Sequence, residues 1–177
     1  TTRTQFFDAA TRELKRNSIT TYDGSLTLTA VSGANRKFRA NKAYYWDAHE
    51  KVGDLVVMSR GSAGHAFYMY KCKDMLVEDV TLYGAGTFAF FENETENSHY
   101  LNCKVKVKKN ETERPSGRLS SGNADGIHSK NAYKGPTIEN CEIIYGGDDC
   151  IAINGAMYPV YAVDAPNKTI SILGSSG

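Results

Sequence analysis

A period in the low twenties of residues, with the apolar positions in step from one segment to the next, constrains this chain more than any other feature. Three segments superpose: Leu76-Val77-Glu78-Asp79-Val80-Thr81-Leu82, Tyr100-Leu101-Asn102-Cys103-Lys104-Val105 and Ile138-Glu139-Asn140-Cys141-Glu142-Ile143. Val77, Tyr100 and Ile138 share one column, Val80, Cys103 and Cys141 a second, and Leu82, Val105 and Ile143 a third. Apolar and polar residues partly alternate within each segment, as in a half-buried strand, and an Asp or Asn falls where the chain must bend. A second strand follows each segment after a short turn, at 88–93, 125–129 and 149–154.

From Val80 to Cys103 is 23 residues, and from Cys103 to Cys141 is 38. The surplus lies in the polar, Gly-, Ser- and Pro-containing stretch 108–122, which reads as a loop bulging from one coil. Two or three short strands per period, with no helix-period segment, indicate a β-solenoid whose coils stack about 4.8 Å apart. The expected fold is all-β, a right-handed parallel β-helix, with residues 1–156 as its coils. Residues 25–31 (Leu26, Leu28 and Ala30 inward), 53–58 and 66–70 read as further strands, and Asp8 to Arg12 as a turn. From Met157 the pattern changes to a hairpin around Pro166-Asn167-Lys168, so 157–177 reads as a β-hairpin or the start of a small inserted β-barrel. A solenoid needs polar caps over its end coils, and neither end of the sequence supplies one. The chain therefore reads as a fragment of a longer helix, or as one completed by another chain.

Composition narrows the partners. A formal net charge of +1 gives no electrostatic reason to bind nucleic acid. The main basic run, Lys104 to Lys109, alternates with valines and suits the solvent face of a strand. No apolar run approaches the eighteen or so residues that span a bilayer, and no basic-then-apolar leader opens the sequence. With three Asn-X-Thr triplets, at Asn93, Asn110 and Asn167, a secreted or extracytoplasmic protein is expected. Cys72, Cys103, Cys141 and Cys150 lack the close pairing of a zinc site and read as small buried apolar residues. No metal or other cofactor is expected.

The chemistry is expected at three aspartates. Asp125 and Asp149 are 24 residues apart in the column that Phe88 holds one coil earlier, so their backbones should be stacked neighbours, with Asp148 adjoining. Like charges so close raise at least one carboxyl's proton affinity. Glycoside hydrolysis needs that division of roles: one carboxylic acid protonates the leaving oxygen while an ionised partner works on water or carbon. The same residues also suit plain turns, since Asp148-Asp149 follows Gly146-Gly147.

Asn123-Ala124-Asp125-Gly126-Ile127 and Gly147-Asp148-Asp149-Cys150-Ile151-Ala152-Ile153-Asn154 resemble the Asn-Thr-Asp-Gly and (Gly/Gln)-Asp-Asp-Cys-Ile-Ala-Ile-Asn blocks of the polygalacturonases, glycoside hydrolase family 28. The resemblance implies a pectin-lyase-like solenoid and an inverting mechanism. It makes Asp148 the general acid, while Asp125 and Asp149 hold and deprotonate the attacking water. Two further blocks of that family, Gly-His-Gly and Arg-Ile-Lys, are absent from this chain, and the latter helps to bind the sugar carboxylate. From about Phe6 to Leu173 the chain also resembles the β-helical α-1,3-galactosidases of family 110. That likeness covers the Val52-Gly53-Asp54 strand, the stretch from Gly64-His65-Ala66 to Asp74, both aspartate blocks and the hairpin after Asn154. It implies the same three aspartates and a neutral galactose-type sugar, so an α-galactosidase-like hydrolase is the main expectation and a polygalacturonase-like pectin hydrolase the alternative.

Substrate contacts are expected from His65, in a glycine-flanked loop, and from His128, Asn123 and Lys130. His99 is a further candidate. Strand alternation would point His128 to the opposite face from Asp125. Trp46, with Tyr44 and Tyr45, could stack on a sugar, and Arg118 could meet an anionic group. Two rivals stay open: a Ca²⁺-dependent polysaccharide lyase with a Lys or Arg base, and a solenoid that binds glycan without cutting it. In each reading the partner is an oligosaccharide or polysaccharide.

Overall fold

The structure, a computed structural model, describes residues 2–16, 21–23, 28–33, 37–40, 50–60, 64–108 and 117–173. Every regular element among them is a β-strand. The first five are β1 (Thr2–Phe7), β2 (Thr21–Asp23), β3 (Leu28–Ala30), β4 (Phe38–Ala40) and β5 (Leu55–Arg60). Ten short strands follow: β6 (Phe67–Tyr70), β7 (Leu76–Glu78), β8 (Thr81–Leu82), β9 (Phe90–Asn93), β10 (His99–Leu101), β11 (Lys104–Val105), β12 (Ile127–Lys130), β13 (Thr137–Glu139), β14 (Glu142–Ile143) and β15 (Ile151–Asn154). β16 (Val160–Asp164) and β17 (Thr169–Ile172) close the series.

The ten central strands form three stacks, β6-β9-β12-β15, β7-β10-β13 and β8-β11-β14, and every pairing within them is parallel. This is a parallel β-helix, in the register anticipated from the columns. Tyr100 lies between Val77 and Ile138, and Val105 between Leu82 and Ile143. The second column follows from two bonds: the Lys104 amide donates to Val80 O (2.8 Å) and the Glu142 amide to Cys103 O (3.0 Å).

The bends are single residues in the left-handed region. Asp79, Asn102 and Asn140 have φ of 56°, 55° and 52°, one above another. Asn and Asp tolerate this conformation because their short polar side chains bond locally to the backbone. A second corner stacks Lys71, Glu94 and Asn131 at 53°, 54° and 54°. Lys and Glu lack that local advantage, so pairing between coils holds them: the Lys71 amide donates to Asn93 O and the Glu94 amide to Lys130 O, each at 3.0 Å.

Inside the coils Met69, Val77, Ala89, Phe90, Tyr100, Cys103, Val105 and Ile127 form one apolar cluster. Each fully buried large side chain contributes about 1.5–3 kcal/mol. Glu92 is also completely buried, a costly placement unless its oxygens are hydrogen-bonded. Its carboxylate accepts from Ser98 Oγ (2.5 Å), Ser129 Oγ (2.6 Å) and Tyr100 OH (3.2 Å), so hydroxyls from three strands or bends meet on one acid. Burial and the Glu92 charge push the Tyr100 phenol far up, so it stays a donor.

The parallel stack starts at Phe67 rather than at residue 1. Before it the described strands pair antiparallel, β2-β1-β5 in one sheet and β3-β4 in another. Period-two alternation marks a strand but says nothing of its neighbour's direction, and the 23-residue spacing does not extend into this part. Ala30, expected inward, is exposed; Leu26 lies outside the described residues. The turn at Asp8 forms as read, with its carboxylate accepting the Ala10 and Thr11 amides at 2.9 Å. The hairpin after Met157 is present as β16-β17. All four cysteines are free thiols; Cys103 is buried and Cys72 and Cys141 half-buried, but Cys150 is exposed, against expectation, because β15 beside it is itself uncovered.

Candidate active site

Strand alternation sorts the four-stranded stack into an inner row and an outer row. Phe90, Glu92, Ile127 and Ser129 point inward and are fully buried. Tyr68, Phe91, His128 and Ala152 form one outward column, and Tyr70, Asn93, Lys130 and Asn154 the next. Just upstream of these strands, Phe88, Asp125 and Asp149 follow one another along the axis. The Ala89 amide donates to Asp125 O (2.9 Å) and the Gly126 amide to Asp149 O (3.0 Å). Asp125 and Asp149 are thus stacked backbone neighbours.

Two glycines make this approach possible. A Cβ on Gly126 would lie 2.6 Å from Ile143 Cγ2 and 2.7 Å from Cys150 O. One on Gly147 would meet Asn123 O at 2.5 Å and Arg3 Nη1 at 2.6 Å. The bend that presents Asp148 and Asp149 therefore fits against the preceding coil only without side chains at these points.

The carboxyls sit in unlike surroundings. Asp125 is 5% exposed, and its Oδ2 lies 2.6 Å from His128 Nδ1. Burial raises its pKa, the hydrogen bond and charge of His128 oppose this, and the charges of Asp148 and Asp149 add to the rise. Asp148 and Asp149 are exposed. Asp148 Oδ2 accepts a 2.7 Å charge-assisted bond from Arg3 Nη2, and Arg3 Nη1 donates to Asn123 O at 3.1 Å. The Arg3 side chain is only 5% exposed. Burial lowers its pKa, against the attraction of Asp148 first, then Asp125 and Asp149. β1 brings it there: Gln5 Nε2 donates to Gly146 O (3.1 Å), and Phe7 meets Tyr145 edge to face at 6.1 Å.

The structure gathers Asp125, Asp148, Asp149, Asn123 and His128, and corrects the reading of several others. His128 does not face away from Asp125. Asp125 precedes β12, at a bend, so the alternation that governs strand residues does not extend to it. Asn123 holds the scaffold, through its backbone oxygen to Arg3 and its side-chain amide to Gly86 O (3.1 Å). Lys130 is exposed on the outer face, one column beyond His128. His65 packs among aromatic rings, parallel to Phe88 at 5.1 Å, and burial lowers its pKa. His99 belongs to another face, beside Glu139. Arg118 donates to Tyr83 O (3.0 Å) and covers Gly84, a structural task. Trp46, Tyr44 and Tyr45 lie outside the described residues. Arg3 and the aromatic wall escaped sequence reasoning: nothing in Thr-Arg-Thr-Gln marks a guanidinium destined for a carboxylate 145 residues away.

A buried carboxyl of raised proton affinity beside two open ones, with a cation among them, is equipped to move protons at a bond laid across this face. Comparison with curated proteins finds no match to the chain. The family model of the glycosyl hydrolases family 28 matches residues 3–172, which spans the antiparallel entry sheet, all the parallel coils and nearly all of the closing hairpin. It supports the polygalacturonase-like alternative over the α-galactosidase-like expectation, which nothing in the comparisons supports. The chain therefore belongs to glycosyl hydrolase family 28, and its activity is the hydrolysis of glycosidic bonds in a glycan.

Proposed function

We propose that the substrate is a polyuronide such as polygalacturonate, cleaved with inversion. In this reading Asp148 protonates the leaving oxygen, and Asp125 with Asp149 binds and deprotonates the water. The stacking of Asp125 on Asp149 supports a shared water. The raised proton affinity of Asp125 supports its use as a base, because a stronger base accepts a proton more readily once ionised.

The guanidinium of Arg3 among the three carboxylates is the observation that favours a uronide. Asp148 pairs with it as a carboxylate, and a group that is to hand on a proton must first part from such a partner. A sugar carboxylate competes for the guanidinium and releases Asp148; a neutral galactoside brings no competing anion. Exposed Lys130, on the same face, adds a second cation for an anionic chain. An extracytoplasmic location belongs to the same proposal, since a polymeric substrate must be met outside the cell.

The test offers polygalacturonate and galactose-terminated oligosaccharides to the protein, following new reducing ends and the anomer first formed. Uronide turnover with the inverted anomer is expected. Asp148→Asn should lower kcat by about 10²–10⁴, and Arg3→Gln should lower kcat/KM on the uronide while the fold persists. Turnover of the galactoside alone, a retained anomer, or an undiminished Asp148→Asn variant would overturn the reading.

A further inference from the structure

An aromatic wall on the outer face has no part in the proton transfers above. Tyr68 stacks on Phe91 at 5.0 Å and 10°, and Tyr70 on Tyr68 at 6.3 Å and 24°. Phe91 continues to Phe88 at 5.2 Å, and Phe88 to His128 at 4.2 Å. His65 fills the angle between them, 4.4 Å from Phe91 and 5.7 Å from Tyr68. The wall thus runs unbroken from Tyr70 to the imidazole that holds Asp125.

Core packing does not account for it. The inward positions of the same strands are filled by Met69, Phe90 and Ile127, whereas Tyr68 and Tyr70 remain 51% and 48% exposed. Nor does the second stack repeat it. The matching positions of the second stack are Leu76, Glu78, His99, Leu101, Thr137 and Glu139, none of them Phe, Tyr or Trp. Two large rings left half in water, on the one face that also bears the aspartates, suit a ligand with apolar patches and many hydroxyls. A pyranose ring fits: its C–H face packs on an aromatic surface while its hydroxyls and the tyrosine hydroxyls keep their polar partners. Tyr68 lies two coils from His128, about 10 Å along the axis at the usual strand spacing. That offset belongs to a neighbouring sugar of the same chain, not to the one being cleaved.

We propose that Tyr68 and Tyr70, backed by Phe91 and His65, form a sugar-binding subsite on the side of the coils preceding Asp125, which grips the glycan chain away from the scissile bond. The subsite rests on the hydrolase reading and sets chain-length preference rather than chemistry.

The test uses a galacturonate dimer and a longer oligomer. Tyr68→Ala should raise KM for the longer oligomer about tenfold, leave its kcat near the wild-type value, and leave dimer turnover unchanged. Tyr68→Phe keeps the ring and should behave as wild type, and Tyr70→Ala gives a second reading should Tyr68→Ala fail to fold. Binding is measured separately in the Asp148→Asn background by calorimetry, where adding Tyr68→Ala should weaken the longer oligomer about tenfold. Equal length dependence with and without the Tyr68 ring overturns the subsite, as does a longer oligomer that fails to bind the Asp148→Asn protein. A subsite effect in binding with no turnover in wild type would instead leave the subsite standing and sink the hydrolytic roles.

Discussion

Asp125 holds its proton more tightly than an exposed aspartate does, because its charge would be desolvated and faces Asp148 and Asp149, and His128 is the group that restrains this rise. If Asp125 must be ionised to take a proton from water, activity is lost as pH falls through its raised value. The acid limb of kcat/KM therefore lies at higher pH than an ordinary exposed aspartate would set. His128→Ala removes the 2.6 Å contact that favours the ionised form, so the acid limb should move to still higher pH, read directly from the pH profile. An unmoved limb would detach His128 from the base. At this scale the aspartates were legible because one backbone column holds two of them and chain adjacency supplies the third. Arg3 was not, since a contact across 145 residues leaves no trace in local pattern, and His128 was misdirected because alternation was applied across a bend.

At the scale of the strand, the turn before β12 decides where Asp125 points. Gly126 lets the coil close against Ile143 and the Cys150 carbonyl, and one of those neighbours is backbone that cannot swing aside. Gly126→Ala should destabilise the protein by about 1–3 kcal/mol, measured by chemical denaturation, and should depress activity by more than that loss explains, as Asp125 is displaced with the bend. A variant as stable and active as wild type would show that the coil spacing is looser than these contacts. The strands of the first stack were expected to begin at Phe88, Asp125 and Asp149, yet the regular strands start two residues later, at Phe90, Ile127 and Ile151, and the leading residues join the stack only through single coil-to-coil bonds. Those leading positions belong to the bend, where they present side chains outward, which is why they hold the functional groups. The direction of pairing before residue 61 could not be read, because β1 and β5 alternate as well in an antiparallel sheet as they would in a coil.

Across the molecule the parallel stack is nearly one-dimensional in its stability, each coil touching mainly the coils before and after it, and β1 adds a brace to its later bends. Phe90 packs between neighbouring coils and is completely buried, whereas Ile151, in the same inward column, remains 45% exposed on β15. Phe90→Ala should cost about 3–5 kcal/mol and Ile151→Ala less than about 1 kcal/mol in one denaturation series; equal losses would mean that the stack melts without regard to position. The overall architecture was legible because a repeated period is global information written locally. The extra length of the third coil shows how that period tolerates interruption. Between β11 and β12 the chain makes its long excursion, is pinned at its return by Arg12 to Gly117 O and Arg118 to Tyr83 O, and re-enters with β12 and β14 paired to their predecessors. Such a corner acts like an expansion joint: it takes up added length between coils while the parallel register on either side, and with it the alignment of Asp125 on Asp149, is kept.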